Sequence, residues 1–264
     1  HLLAEVLHAS FPPNTYRMNP YCEWQPDIHE LERKVKSHKS IVGILVINPD
    51  NPTGFVYPPE VLRQIVEIAR EYDLFLVFDE TYGNIVFNGK KTVPLSDIIG
   101  EVPGMAMKGI SKEFPWPGSR CGWVEVYNVD RDPAFSRYVD AVFHQKMSEV
   151  CSTTLPQMAI PVILSHPQYP EYLQERLRHY EKLSNIAYNL LKDLPYVVVN
   201  RTDGAFYMTV AFNEAVLNGR QTLPIKQADV RTYIEKLVSG QIEYDKRFVY
   251  YLLGATGICT VPLT

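Results

Sequence analysis

Two uninterrupted apolar runs, each closed by polar residues, restrict what this chain can fold into. Ile41 to Ile47 reads IVGILVI, and Leu74 to Phe78 reads LFLVF. A strand with one wet face alternates apolar and polar residues. These runs do not alternate, as expected of parallel strands covered by helices on both faces. Between them, Pro58 and Pro59 open a segment whose Val61, Leu62, Ile65, Ile68 and Ala69 recur at three- and four-residue steps, the spacing of one helical face. Together the three segments predict a βαβ unit. Ligands of such sheets bind beyond the carboxyl ends of the strands.

Polar clusters stand at both of those ends. INPDNPTG (Ile47 to Gly54) follows the first run, and the second ends in Asp79, Glu80, Thr81 and Tyr82. Asn51 and Asp79 lie 79 − 51 = 28 positions apart, the length of one crossover helix plus a strand, so their side chains are expected in one crevice. Taken singly, an Asx-turn ahead of Pro52 or a turn-forming Asp accounts for either residue equally well.

A third stretch, GMAMKGISKEFPWPGSRCGW over residues 104 to 123, places Lys112 after a short apolar strand and Ser111, with Arg120 eight positions on in a Pro- and Gly-rich loop. A desolvated amine loses its charge readily, and the neutral amine attacks a carbonyl to form a Schiff base. A guanidinium is a planar, permanently charged fork suited to phosphate, and the Ser111 hydroxyl can add a hydrogen bond. One loop can thus hold both ends of a phosphorylated aldehyde.

The ordered set Asn-Pro-x-Asn-Pro-Thr-Gly, Asp-x-x-Tyr, and Ser-Lys with an Arg eight residues on resembles the class I/II aminotransferases, fold-type-I enzymes that depend on pyridoxal phosphate. The resemblance implies an α/β fold with a mostly parallel sheet between helices and a smaller C-terminal α/β domain. It implies that Lys112 carries the cofactor as an aldimine and moves protons, and that Asp79 sits against the pyridine nitrogen. It further implies that Tyr82 and Asn51 bond the ring's phenolic oxygen, and that Arg120 and Ser111 bind the phosphate. The substrates implied are an amino acid and a 2-oxo acid, and the assembly a homodimer. Gly109 departs from the family pattern, because many members have a hydroxyl residue three positions before the Lys. A lyase or decarboxylase on the same scaffold, or a noncatalytic module that keeps the fold, are the alternatives, since scaffold does not fix chemistry.

With 46% apolar residues in 264, the chain can bury a sizeable core. A net charge of −4 with mixed signs indicates no basic face for nucleic acid. No apolar run reaches the roughly 20 residues of a membrane helix, and the start HLLAEVLHAS has no signal-peptide pattern, so the reading is cytoplasmic. Cys22, Cys121, Cys151 and Cys259 are widely spaced, and no His pattern suits a metal. No metal is therefore expected. Asn200-Arg201-Thr202 matches a glycosylation sequon and is read as accidental.

Leu2, Leu3, Val6 and Leu7 have helical spacing, Asp27 is expected to cap a helix bearing Ile28, Leu31 and Val35, and Thr15 to Met18 to form a short strand. Asp130 to Met147, with Phe135, Tyr138, Val139, Val142 and Phe143 on one side, and Leu155 to Leu164 read as helices. His166 to Pro170 is the expected boundary, giving a large cofactor-binding domain over 1–168 and, over 169–264, a long connecting helix of roughly 24 residues, marked by a stripe of Leu173, Leu177, Tyr180, Leu183, Ala187, Leu190 and Leu194, plus a small domain. In the latter, Tyr196 to Asn200, Ala205 to Ala211 and Ile258 to Val261 are expected strands. Ala228 to Leu237 and Phe248 to Leu253 are expected helices. Thr202 to Tyr207 resembles the family's Gly-Ala-Phe-Tyr strand. The family's N-terminal phosphate loop with its stacking aromatic, and its substrate-gripping C-terminal Arg, have no counterpart here, which implies an internal fragment.

Overall fold

The computed structural model describes residues 14–151 and 153–263. The expected helix over residues 1 to 9 lies outside them.

Contacts divide the chain into two compact units, the first of residues 1–193 and 199–209 and the second of 194–198 and 210–264. The core of the first is a four-stranded sheet in the order β3-β4-β5-β6: Gly43–Ile47, Phe75–Asp79, Gly104–Gly109 and Gly122–Tyr127. β3, β4 and β5 are parallel, and β6 runs antiparallel to β5. The βαβ unit forms as its pattern requires, with α2 (Pro59–Glu71) as the crossover.

Leu62, Ile65, Ile68 and Ala69 of α2 are buried against Ile44, Val46, Leu76, Phe78 and Ala106 from one face of the sheet. Leu31 and Val35 of α1 (Ile28–Ser37) join them. Asp27 caps α1 by accepting from the Glu30 N–H at 2.8 Å. Glu30 in turn accepts from the Arg17 backbone N–H at 2.9 Å and pairs with Arg17 and Lys34. These contacts hold the Glu30 carboxyl at about 2, the Arg17 N–H contributing most.

The opposite face is covered differently. Phe135 and Val139 of α4 (Pro133–Met147) pack on Met105, Phe75 and Val77. Tyr138, Val142 and Phe143, expected on the same helical face, are exposed. Preceding α4, α3 is a single turn, Leu95–Ile98; following it, α5 spans Thr154–Leu164 and α6 Tyr169–Leu191. Of the expected apolar stripe on α6, Leu177 is buried with Tyr82, Ile85 and Ala205, whereas Leu183 and Leu190 are exposed. That packing groups α6 with the first compact unit.

The short strands β1 (Met18–Asn19) and β2 (Gln25–Pro26) pair antiparallel, later in the chain than the expected Thr15 to Met18. In the second unit, Ile225, Ile234, Val238 and Tyr251 form a separate core between α7 (Ala228–Leu237) and α8 (Tyr244–Thr256). β7 (Val197–Val199) and β8 (Val210–Phe212) form a two-stranded sheet.

Two strand expectations fail in part or whole. Of the expected strand Ala205 to Ala211 only Val210 and Ala211 are in β8, and residues 205–209 are not a strand, because Ala205 adopts a left-handed φ of 54° and its N–H bonds to the Ile85 carbonyl at 2.8 Å. Residues 258–261 are not a strand either. Gly257, at φ 77°, ends α8 in the left-handed cap that glycine favours, and Ile258 and Val261 beyond it are exposed.

Candidate active site

The site grows from the carboxyl ends of β3, β4 and β5. Ile47, Asp79 and Met107 are in register across the three strands, so Asp79 stands at the rim between the other two. Its Oδ1 accepts from the Thr81 N–H at 3.0 Å and from the Thr81 hydroxyl at 2.7 Å, the turn-forming role that its position allows. That turn delivers Tyr82, which is 3% exposed.

Past β3 the chain makes a tight loop. Asp50, buried, accepts from the backbone N–H and hydroxyl of Thr53, and burial raises its pKa. Asp50 thereby does the turn-forming work that was the alternative reading of Asn51. The Asn51 side chain is left to reach across, and its Nδ2 donates to the Tyr82 hydroxyl at 3.4 Å.

Gly54 makes the next connection possible. Its φ is +72°, and a Cβ there would lie 2.7 Å from Thr202 and 2.8 Å from the Tyr207 carbonyl oxygen. Without one, the Gly54 carbonyl accepts from Asp203 and Gly204 N–H groups, each at 3.1 Å, and the Thr209 hydroxyl donates to the Pro52 carbonyl at 2.8 Å. Residues 202–209 are thus fastened along the Asn51 loop. Phe206 and Tyr207 are brought over Tyr82, with ring centroids at 5.5 and 5.6 Å, both edge-on.

Lys112 completes the group. Its Nζ lies 5.8 Å from the Tyr82 ring centroid and 5.7 Å from that of Phe206, so the ammonium is set between two aromatic faces. Its backbone carbonyl accepts from Arg176 of α6 at 3.4 Å. The following residue, Glu113, accepts from Asn84 at 2.9 Å and from the Tyr169 hydroxyl. The loop that presents the amine is held from its two sides. The Tyr82 and Tyr207 hydroxyls are 2.8 Å apart. Tyr82 titrates well above an ordinary phenol, chiefly because of burial, with the Asp79 charge adding to the rise and Asn51 pulling the other way. It is a neutral hydroxyl with one proton to place.

Of the six residues singled out from sequence, Asn51 and Lys112 each reach Tyr82, and Asp79 is placed near them by register and by its charge acting on Tyr82. Ser111 adjoins Lys112 at the top of β5. The Arg120 guanidinium is exposed and donates to the Pro117 carbonyl of its own loop at 3.0 Å, Arg120 itself having φ 51°. At Gly109, the position where family members have a hydroxyl, a Cβ would come within 3.3 Å of the Cys121 carbonyl. The tight β5–β6 contact therefore suits glycine there. Sequence reasoning missed Tyr207, Phe206 and Arg176 as site residues. The Gly-Ala-Phe-Tyr motif marked the first two, but a strand assignment hid their direction, and Arg176 lies in an ordinary helical pattern.

The donor set fits pyridoxal phosphate in its ring and aldehyde parts: an amine for the carbonyl, an acid for the pyridine nitrogen, and a phenol and an amide for the ring oxygen. A cavity of about 450 Å³ lies elsewhere, on the side of the sheet that Lys108 faces, lined by Glu80, Lys108, Glu113 and Glu125. There Lys108 pairs with Glu125 at 2.9 Å and with Glu80 at 3.5 Å, and Glu80 also accepts from the Leu95 N–H at 2.6 Å. Among the described residues, no cluster of three or more His, Cys, Asp or Glu could hold a metal ion, and no helix is long and apolar enough to cross a membrane.

The family profile "Aminotransferase class I and II" matches residues 6–262. The chain belongs to this family. An uncharacterized aminotransferase of Methanocaldococcus jannaschii is 53% identical over the whole of this chain, which covers 61% of that protein. An alanine aminotransferase of Mycobacterium bovis is 32% identical over 184 residues, 70% of this chain and 42% of its own length. The chain thus spans only part of the curated relatives it matches. Among solved structures, an alanine aminotransferase from Pyrococcus furiosus superposes with a TM-score of 0.75 at 26% identity, over 94% of this chain and 55% of that one. A putative aminotransferase from Clostridium difficile, described as bound to pyridoxal phosphate, shares the fold at TM-score 0.65 and 16% identity, over 78% of this chain and 52% of that one. The α/β fold and the aminotransferase family expected from the motifs both hold.

Proposed function

We propose that this aminotransferase chain holds pyridoxal phosphate on Lys112 and transfers an amino group from an amino acid to a 2-oxo acid. The observation that carries the reading is the Lys112 amine between the Tyr82 and Phe206 rings, with Asn51 bonded to the Tyr82 hydroxyl.

Pyridoxal phosphate supplies an electron-withdrawing ring that accepts the electron pair released at the substrate's Cα. The Tyr82 and Phe206 rings would hold the Lys112 side chain in place, and its amine, when neutral, is the group that attacks a carbonyl and takes up a proton. Asp79 is the acid that would keep a ring nitrogen protonated. Tyr82 and Asn51 would donate to the ring oxygen. Ser111 and Arg120 would bind the phosphate, Arg120 by giving up its bond to the Pro117 carbonyl. Residues 1–168 are taken as the cofactor-binding part and 169–264 as the connecting helix and small domain. A homodimer is the proposed assembly.

The test uses the intact protein loaded with pyridoxal phosphate. Wild type should show the visible absorbance band of a Lys-bound cofactor, and Lys112→Ala should lack it. Alanine, glutamate or tyrosine, the amino acids named by its relatives, should bleach the band and appear as the matching 2-oxo acid. A band that survives in Lys112→Ala assigns another Lys, and release of ammonia or carbon dioxide in place of the 2-oxo acid overturns transamination.

A further inference from the structure

The Tyr82 oxygen is approached by two groups, and their chemistry decides where its own proton points. Asn51 Nδ2 can only donate, so at 3.4 Å it takes one lone pair of that oxygen. The Tyr207 hydroxyl, at 2.8 Å, can donate or accept. If Tyr82 donates to Tyr207, its proton is spent inside the pair. If Tyr207 donates, both lone pairs of Tyr82 are used and its proton must point away from both neighbours.

The second arrangement also strengthens the outward bond. A hydroxyl that accepts a hydrogen bond is polarised and becomes a better donor. Tyr207 is kept beside Tyr82, because the Asp203 and Gly204 N–H bonds to Gly54 and the Thr209 bond to Pro52 hold its backbone on either side. Its ring packs edge-on to Tyr82 at 5.6 Å and at 4.8 Å from Phe206.

We propose that Tyr207 is a positioning residue whose hydroxyl proton is given to the Tyr82 oxygen, turning the Tyr82 O–H outward as a donor to the ring oxygen of pyridoxal phosphate. This rests on the function proposed above. A stronger donor at that oxygen favours its ionised form and lowers the pH at which the Lys112-bound nitrogen loses its proton. The other ionisable groups around Tyr82 are Asp79, Lys112 and, from α6, Tyr180 with Arg176 bonded to it. None of them changes when the Tyr207 hydroxyl is removed.

The experiment titrates the absorbance band of the intact, cofactor-loaded protein against pH. In Tyr207→Phe, which keeps the ring and loses the hydroxyl, the midpoint should rise by roughly 0.5 to 1 pH unit, the size expected of one lost hydrogen bond. Tyr207→Leu, which also loses the ring, should rise by the same amount if the hydroxyl alone acts. Tyr82→Phe should rise at least as far, and Tyr82→Phe with Tyr207→Phe no further than Tyr82→Phe alone. An unchanged midpoint in Tyr207→Phe overturns the proposal, as does a Tyr207→Phe shift that persists on top of Tyr82→Phe. A wild-type protein with no titrating band overturns the proposed function and this inference with it, whereas a normal wild-type titration beside an unshifted variant overturns this inference alone.

Discussion

Two glycines with the same backbone and different surroundings allow the docking of residues 202–209 to be weighed. Gly54 has φ +72° and Gly89 φ +73°, but a Cβ on Gly89 would meet nothing within 4 Å. Placing alanine in that left-handed conformation costs about 1–2 kcal/mol, less the 0.4–1 kcal/mol or so regained by restricting the unfolded chain. Gly89→Ala should therefore cost about 1 kcal/mol.

Gly54→Ala incurs the same backbone strain and adds a methyl group 2.7 Å from Thr202 and 2.8 Å from the Tyr207 carbonyl oxygen. A backbone oxygen cannot rotate away. Overpacking of this kind costs about 1–3 kcal/mol, and relieving it by moving the segment strains the two N–H bonds to Gly54, worth about 0.5–1.5 kcal/mol each. The difference between the two variants should be 2 kcal/mol or more, as order-of-magnitude reckoning.

Urea unfolding followed by tryptophan fluorescence measures it. All three tryptophans, Trp24, Trp116 and Trp123, lie in the first unit, so the signal reports the unit that holds both glycines. At that difference the melting temperatures should separate by about 4–8 °C. Equal losses within about 0.5 kcal/mol would refute the claim that Gly54 is selected by the approach of residues 202–209.

Two further outcomes are expected. Glu30, held at about 2 against an ordinary 4.5, contributes stability that is present above the ordinary value and lost as pH falls through about 2. Glu30→Gln should flatten the dependence of unfolding midpoint on pH across that window, and an unchanged slope would show that the Arg17 and Lys34 contacts do not persist in solution. Lys108→Met leaves the half-buried Glu80 without its cation. The cost should be about 2 kcal/mol, below the roughly 3–5 kcal/mol of a fully buried pair, because the Lys108 side chain keeps 26% of its exposure. A loss under about 0.5 kcal/mol by urea unfolding would mean the pair is screened.

The sequence by itself determined the parallel strands, their crossover helix and the placing of Asn51 and Asp79 at carboxyl ends, because apolar runs and apolar periodicity are local properties of the chain. It also singled out Lys112 as the candidate amine, since the residues around it carry a motif read without coordinates. It began one strand too early, at Ala205 where the structure has it at Val210, and placed another at 258–261 where there is none, because backbone conformation at Ala205 and Gly257 overrode apolar content. It marked stripes on α4 and α6 without saying which of their residues are covered, since periodicity names a face and not what lies against it. Only the tertiary structure decided that Phe206 and Tyr207 close over Lys112 and Tyr82, roughly a hundred residues away in the chain. The physical reason is that this approach depends on an absent side chain at Gly54 and on three hydrogen bonds between distant backbone segments, and neither leaves a local trace.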